Sequence, residues 1–271
     1  MTKRIATAMA VLGAASIITG CSMEQPSAGC IVQDSSFALW QAKYIPKTEA
    51  DAAKACGQFK GEELGVWKYA NPEASEADIA ANKASKLAIR PRGAASLTRY
   101  TYEYKEVNAT TGKEETKSVA VDRVPATTEE WAKATSLSTT LPEMPDAEGY
   151  CKATGFNAAS ITATEVKHVK TGETLAAATT VGYTFSDVEV YSHPSAPGTQ
   201  LRGSLTYTKD GFTAEYEVWA LWPATPCTPG STDPVTNCGE GSGLNPDFDA
   251  VCDADLKRCV PARKPKSFKG Q

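Results

Sequence analysis

The clearest pattern in the chain is a strict alternation of polar and aromatic residues over positions 97–107. Tyr100, Tyr102 and Tyr104 share one face of this segment, and polar or charged residues occupy the other. Successive side chains of a β-strand point to opposite faces, so the pattern predicts a half-buried antiparallel strand. A polar turn separates it from residues 117–124, and the two segments together predict a hairpin with a longer loop.

A second hairpin is predicted over residues 200–222. Two alternating runs meet there at Asp210 and Gly211, and Asp-Gly between alternating apolar runs is a strong signal for a tight hairpin turn. Residues 160–169 and 181–191 are also strand-like. The core is therefore expected to consist mostly of strands.

Three helices are expected. The first begins with Asn71 as N-cap, followed by a proline and acidic residues, and extends to about Lys83. The second begins at Thr127, which has capping-box spacing to Glu130, and ends before a proline. A weaker pattern predicts a third helix over residues 49–59.

These elements predict an α+β fold that is mainly β: an antiparallel sheet or a β-sandwich with two or three peripheral helices and a Cys-rich C-terminal tail. Changes in composition predict the domain organisation. It consists of a signal peptide (1–20), an anchor and tether (21–29), a β-rich ectodomain (30–223) and a tail rich in Cys, Pro and Gly (224–271).

The N-terminus has the organisation of an export signal. Lys3 and Arg4 precede an uncharged, largely apolar segment over residues 5–20. This segment is shorter than the roughly 20 apolar residues that a membrane-spanning helix requires. It therefore predicts export rather than a membrane span.

The end of this signal, Ile18-Thr19-Gly20-Cys21, resembles the lipobox of bacterial lipoproteins. The resemblance implies cleavage before Cys21 and acylation of that cysteine, including palmitate, so that several acyl chains anchor the protein to one leaflet. In enterobacterial lipoproteins an aspartate after the cysteine retains the protein in the inner membrane. Ser22 stands here instead, which implies the outer membrane.

The charge balance of the chain excludes a nucleic-acid binder of the usual kind. The chain has 28 Lys and Arg against 32 Asp and Glu, a formal net charge of -4, whereas nucleic-acid binding requires an excess of clustered basic residues. An acidic protein also gains no attraction to anionic lipid, so we expect the acyl chains to hold it at the membrane.

Cysteine is the other unusual feature, with eight residues against two histidines. In an exported protein, the seven that remain after lipidation of Cys21 should form three disulfides and leave one unpaired. Sequence alone leaves the pairing open. We expect one bridge within the tail cysteines Cys238, Cys252 and Cys259, and a bridge from Cys227 to Cys30 or Cys56. The remaining candidate is Cys151.

Metal binding is weakly indicated. The tail cysteines contain no Cys-x-x-Cys pair and have no nearby histidine, so zinc is not expected. Asn245, Asp247 and Asp249 match the first three ligand positions of an EF-hand loop, and Asp253 follows. The glycine and the final glutamate of that loop are absent, so an acidic surface loop is favoured over a calcium site.

Catalytic motifs are also absent from the sequence. His168 is predicted on the exposed side of a strand. His193, with Ser195 and Asp187 nearby, invites comparison with a catalytic triad. No Gly-x-Ser-x-Gly or His-Glu-x-x-His motif accompanies them. The glycine-rich segment 239–243 follows a cysteine rather than a strand, so no phosphate site or cofactor is expected.

The remaining candidate is Trp219, which alternation places on the polar face of the last strand. An open face would make it an aromatic platform for a glycan or a protein, but a helix or the tail could cover it. We expect a lipid-anchored outer-membrane protein that binds or scaffolds and is not an enzyme. A carbohydrate-binding lipoprotein and an envelope hydrolase are the alternatives, and an envelope protein or a glycan is the expected partner.

Overall fold

The structure is a computed structural model that describes residues 29–81 and 83–270. The signal segment and Cys21 lie outside the described residues. Within them the chain forms short helices around an extensive set of antiparallel strands. The strands are β1 (Trp40–Pro46), β2 (Gly61–Ala70), β3 (Ser85–Pro91), β4 (Arg99–Val107), β5 (Glu114–Asp122), β6 (Ser136–Leu137), β7 (Tyr150–Ala153), β8 (Ala159–Ala163), β9 (Val166–Lys167), β10 (Thr174–Ala176), β11 (Thr179–His193), β12 (Ala196–Lys209), β13 (Phe212–Leu221), β14 (Ala250–Asp253) and β15 (Arg258–Pro261). The α-helices are α1 (Glu49–Ala52), α2 (Glu76–Ala80), α3 (Arg92–Ser96) and α4 (Thr128–Ala132).

Nine strands form one antiparallel sheet in the order β6-β3-β2-β1-β13-β12-β11-β7, with β8 also paired to β11. Its two edges are joined. Leu141 bridges Ser85 at the start of β3, and the adjacent Thr140 bridges Thr154 at the end of β7. The sheet therefore curls round and encloses one face, where Trp40, Leu64 and other apolar side chains are fully buried.

The expected α+β, mainly β fold is confirmed, with an antiparallel sheet rather than two packed sheets. Both predicted hairpins form. The turn at Asp210 and Gly211 joins β12 to β13, and both residues have positive φ values, 51° and 88°. The tyrosine-rich hairpin, β4 with β5, is a separate two-stranded sheet that leaves no residue fully buried, so the expectation of a half-buried strand holds only for its tyrosine face.

The helices are shorter than expected. Asn71 is not an N-cap. Its side chain accepts a hydrogen bond from the Glu73 N–H in a turn, and Ser75 caps α2 instead through a capping box with Asp78. Thr127 caps α4 as predicted. That helix ends at Ala132 because the chain then enters β6 to pair with β3.

The third predicted helix is also interrupted, since α1 ends at Ala52 and a 3₁₀ helix, Ala55–Gln58, follows. The two segments lie close together at Gly57, where a Cβ would meet the backbone oxygen of Asp51 at 1.7 Å. Helix α3 was not anticipated. Together these short elements cover one end of the curled sheet.

The C-terminal tail packs on the outside of the sheet. Leu244, Phe248 and the tail cysteines form a small second core with Tyr150, Tyr191 and Leu221 of the sheet strands. Another 3₁₀ helix, Pro234–Thr236, and the hairpin of β14 and β15 complete this segment. The tail is therefore docked against the rest of the chain through apolar contacts.

Candidate functional site

One candidate site is an open groove of about 900 Å³ on the outer surface of β2 and β3. Its floor is the outward face of β3, formed by Lys86, Ala88 and Arg90. These positions alternate with Leu87 and Ile89, which point into the core. Alternate residues of β3 therefore face the core and the groove. The small side chain of Ala88 leaves room between the two basic residues of the floor.

Helix α4 forms one wall of the groove. Its capped first turn places Trp131 beside the floor, with the indole 39% exposed. The Arg90 guanidinium reaches across to the hydroxyl of Thr135, 3.5 Å away, just beyond the helix. Asn157 closes this side, and its side-chain oxygen accepts a 2.6 Å hydrogen bond from the Leu137 N–H.

The opposite wall consists of the end of β2 and the turn that follows it. Tyr69 is 48% exposed and faces the groove. The Asn71 side chain holds the turn, and Pro72 and Glu73 extend the wall. The groove thus carries two exposed aromatic rings and a set of amide and charged side chains.

Such a lining suits reversible binding. Ligand sites are concave, largely apolar, and supplied with a few polar groups that fix orientation. Tyr69 and Trp131 offer apolar ring faces, and Arg90, Lys86 and Glu73 offer donors and acceptors at the edges. The groove could not be predicted from the sequence, because the pattern placed Trp131 on a helix but did not show whether its side chain is exposed to solvent.

Six of the seven cysteines form disulfides, as expected. The bridge within the tail, Cys238–Cys259, confirms one prediction. The expectation that Cys227 reaches the body is wrong, since it pairs with Cys252 of the tail. Cys30 pairs with Cys151, and Cys56 is the unpaired, buried residue among those described.

The two tail bridges are adjacent because Cys252 and Cys259 lie opposite each other on β14 and β15. The sulfur atoms of Cys227, Cys238 and Cys259 consequently lie within 4.8 Å of one another. All three are already bonded to a partner sulfur, and a cysteine must be a free thiolate to bind a metal.

The structure does not bring the calcium candidates together. Asp249 is paired with Arg263, and Asp253 lies 3.5 Å from the Lys43 ammonium. The side-chain oxygen of Asn245 accepts a hydrogen bond from the Asp247 N–H, as in an ordinary turn. The region is an acidic, disulfide-bonded surface segment, which was the favoured alternative.

Only two of the three residues of the candidate triad come together. His193 and Ser195 do meet, with Nδ1 and Oγ 2.9 Å apart. Asp187 lies six residues earlier on β11, about 20 Å along an extended strand, and pairs with Lys152. This rules out the triad of these three residues. His168 is not simply exposed, since its ring packs 5.4 Å from the rings of both Tyr102 and Tyr104.

Trp219 is half-buried rather than an open platform. Its indole N–H donates to Glu217 at 3.1 Å, and Glu217 lies 3.5 Å from Lys264 of the tail. Leu221, on the same face of the strand, is fully buried in the second core. The tail therefore covers this face, as the alternative interpretation had it.

Comparison with known proteins identifies a family model and a relative that match this chain. A family model named MlpA matches residues 38–223. MlpA of Myxococcus xanthus, named as a candidate lipoprotein, is 36% identical over 285 aligned residues that cover 99% of this chain and 100% of the relative. No solved structure matches. None of the helices in the described part of the chain is long and apolar enough to cross a membrane.

The name of this relative agrees with the lipobox-type signal that ends at Cys21. The family match covers more than half of the chain and includes every strand of the curled sheet. This chain therefore belongs to the MlpA family.

Proposed function

We propose that this protein is a lipid-anchored outer-membrane protein that binds envelope glycan through the groove between α4 and the outer face of β2 and β3. The observation that carries the proposal is the pair of exposed aromatic side chains, Tyr69 and Trp131, lining one concave surface together with polar side chains. The anchor would be the acylated Cys21, and the role would be binding rather than catalysis.

Carbohydrate is favoured by the chemistry of the lining. The faces of a sugar ring are partly apolar, and tyrosine and tryptophan combine a large apolar surface with a polar tip. Asn71, Asn157 and Arg90 carry several directional donors, which suit the hydroxyl groups of a sugar. The groove is open to solvent rather than enclosed, which suits a polymer better than a small enclosed ligand.

The charges of the lining support the same choice. Lys86 and Arg90 on the floor oppose a single carboxylate, Glu73, on the wall. The protein as a whole is acidic, with a formal net charge of -4. A locally basic floor in an acidic protein favours a glycan that carries carboxylate or phosphate groups.

The test is isothermal titration of the purified soluble domain, residues 22–271, with oligosaccharides released from the envelope of the native cell. Trp131→Ala should weaken binding about tenfold, because the stacking contact and the buried area of the indole together contribute about 1.4 kcal/mol. Phe212→Ala is the matched control, since this exposed aromatic residue lies at the start of β13, outside the groove.

Binding that is lost in Trp131→Ala and retained in Phe212→Ala supports the proposal. Equal glycan affinity of the two variants would contradict binding in the groove. Absence of any glycan binding by the wild-type domain would favour the scaffolding role with an envelope protein.

A further inference from the structure

A second cavity lies at the end of the curled sheet where β11 begins and β12 ends. Its volume is about 360 Å³, and the 3₁₀ helix Ala55–Gln58 and helix α3 enclose it. Phe59, Leu97 and Val181 form apolar walls. Tyr183 and Tyr207 line the inner part, with ring centroids 5.0 Å apart.

A carboxyl group lies directly behind these tyrosines. Glu62 on β2 points into the curled sheet and accepts hydrogen bonds from the Tyr44 hydroxyl, at 3.1 Å, and from the Gly93 N–H. The Tyr183 hydroxyl lies beside the same glycine, Gly93, as the Glu62 carboxyl, and the Tyr183 ring packs against that of Tyr207. The Glu62 carboxyl is therefore next to the tyrosines that form the cavity wall.

Gly93 is required for this close approach. A Cβ at this position would lie 2.4 Å from the Tyr183 hydroxyl and 3.1 Å from the Glu62 carboxyl oxygen. Glycine therefore lets α3 lie against the carboxyl and donate a backbone hydrogen bond to it. The same absence of a side chain keeps the inner wall of the cavity free.

Glu62 has no basic partner within ion-pair distance among the residues that the structure describes. The neighbouring Glu63, which points to the opposite face of β2, pairs with both Arg92 and Arg258. A buried carboxylate is stable only when an opposite charge or enough donors compensate it. Here Tyr44 and Gly93 donate hydrogen bonds, but no positive charge is paired with the carboxyl, and a cavity adjoins it.

We propose that this cavity binds a small organic cation, with its ammonium group against the hydroxyls of Tyr183 and Tyr207 and its apolar body against Phe59, Leu97 and Val181. The ammonium would supply the charge that Glu62 lacks. Phenol oxygens accept hydrogen bonds from an ammonium group, and the carboxylate beside them attracts its positive charge. Lys209 also lines the cavity, but it is exposed to solvent, which screens its charge. At the tyrosines an anionic ligand would be repelled by Glu62, and a neutral one would leave the charge of Glu62 uncompensated.

Binding should depend on pH through Glu62. Burial raises the pKa of this carboxyl from 4.5 to about 7, and the hydrogen bonds from Gly93, Tyr44 and Tyr183 only partly oppose the increase. The other titratable groups around it are Tyr44, Tyr183, Tyr207 and Tyr216, whose pKa values are all raised by burial, with Cys56 and Lys209 on the cavity wall. Glu62 is thus the group that ionises near neutral pH.

The experiment is calorimetric titration of the soluble domain with benzylamine, benzyl alcohol and benzoate, three probes that share a ring and differ in charge. Benzylamine should bind most tightly, and about tenfold more tightly at pH 8 than at pH 6, because a group with a pKa of about 7 changes its ionised fraction about tenfold over this interval. Equal binding of benzylamine and benzyl alcohol, or absence of benzylamine binding, would overturn the proposal.

Two variants locate the site. Glu62→Gln preserves the shape of the side chain and should weaken benzylamine binding about tenfold and remove its pH dependence, whereas Glu63→Gln, the matched control, should leave both unchanged. Ala55→Trp places a large side chain at the cavity wall without touching Glu62, and should block binding even if Glu62→Gln fails to fold. Unchanged binding by Ala55→Trp would place the probe elsewhere and contradict the proposal.

Discussion

The side chain of Gln200 and the backbone of Ser267 form two reciprocal hydrogen bonds between the sheet and the C-terminal tail. The amide nitrogen of Gln200 donates to the Ser267 carbonyl at 3.2 Å, and the Ser267 N–H donates to the Gln200 amide oxygen at 2.7 Å. Both residues are fully buried. The tail is thus held by directional bonds as well as by the second core.

Replacing Gln200 with alanine should therefore destabilise the docked tail. The change leaves the buried Ser267 N–H unpaired, whereas the Ser267 carbonyl keeps the hydrogen bond from the Asp249 N–H. The free energy of unfolding should therefore fall by about 1–3 kcal/mol. Urea unfolding measures the loss, and limited proteolysis should show earlier cleavage within residues 224–271. Gln33→Ala removes a comparable but exposed bond to Pro197 and should cost less than about 1 kcal/mol. Equal unfolding midpoints for the two variants would contradict this role of Gln200.

The bridge between Cys30 and Cys151 should contribute more to stability than either tail bridge. It joins residues 121 positions apart, against 25 for Cys227–Cys252. A longer closed loop restricts the unfolded chain more strongly, so replacing both Cys30 and Cys151 with alanine should cost about 3–5 kcal/mol. Urea unfolding of this double variant and of the Cys227–Cys252 double variant makes the comparison. A larger loss in the tail variant would show that native contacts, rather than loop closure, determine the order.

Stability should decrease as pH increases from about 4.5 to 7 because of Glu62. Its pKa is raised in the folded protein to about 7, so the folded state retains a proton that the unfolded state has released. This contribution is fully present below the unfolded pKa and is lost as pH increases through the folded pKa. The shift corresponds to about 3 kcal/mol.

Thermal or urea unfolding of wild type and Glu62→Gln across this pH interval isolates the effect, since other carboxyl groups titrate in both proteins. Relative to the wild type, the unfolding free energy of Glu62→Gln should increase by about 3 kcal/mol between pH 4.5 and 7. A constant difference would show that Glu62 titrates normally in the folded protein.

Patterns of period two predicted the strands that pair locally. The β12–β13 hairpin could be anticipated because its turn, Asp210-Gly211, and its alternation lie in one short segment. The closure of the sheet could not, because the bridge from Ser85 to Leu141 joins distant segments with no turn signal between them. Asn71 has the local features of an N-cap, but its side chain stabilises a turn and the helix begins at Ser75.

The candidate sites were harder to predict, since they depend on exposure and distant contacts. Trp131 and Tyr69 are 62 positions apart in the sequence and face the same groove only because β3 lies between their elements. Trp219 has the alternation of an exposed residue, but the tail covers its face. Glu62 sits in a sequence that contains Glu63 as well. Only the fold shows that Glu63 pairs with two arginines, whereas Glu62 faces the enclosed side of the sheet with no ion pair to the residues that the structure describes.

Membrane attachment should depend on Cys21. Cys21→Ser removes the thiol that would receive the lipid, so the protein should move from the membrane fraction to the soluble fraction of the envelope while circular dichroism of the ectodomain stays unchanged. Ser22→Ala is the matched control and should remain membrane-bound. Retention of Cys21→Ser in the membrane fraction would contradict lipid anchoring at this residue.

The most direct test of the proposed glycan-binding role is NMR mapping of the isotope-labelled soluble domain, residues 22–271, during titration with oligosaccharides released from the envelope. We predict saturable shift changes at Tyr69, Lys86, Ala88, Arg90 and Trp131, with little change at Trp219 or Phe212. Saturable changes confined to another surface, or none at any glycan concentration, would contradict binding in the groove.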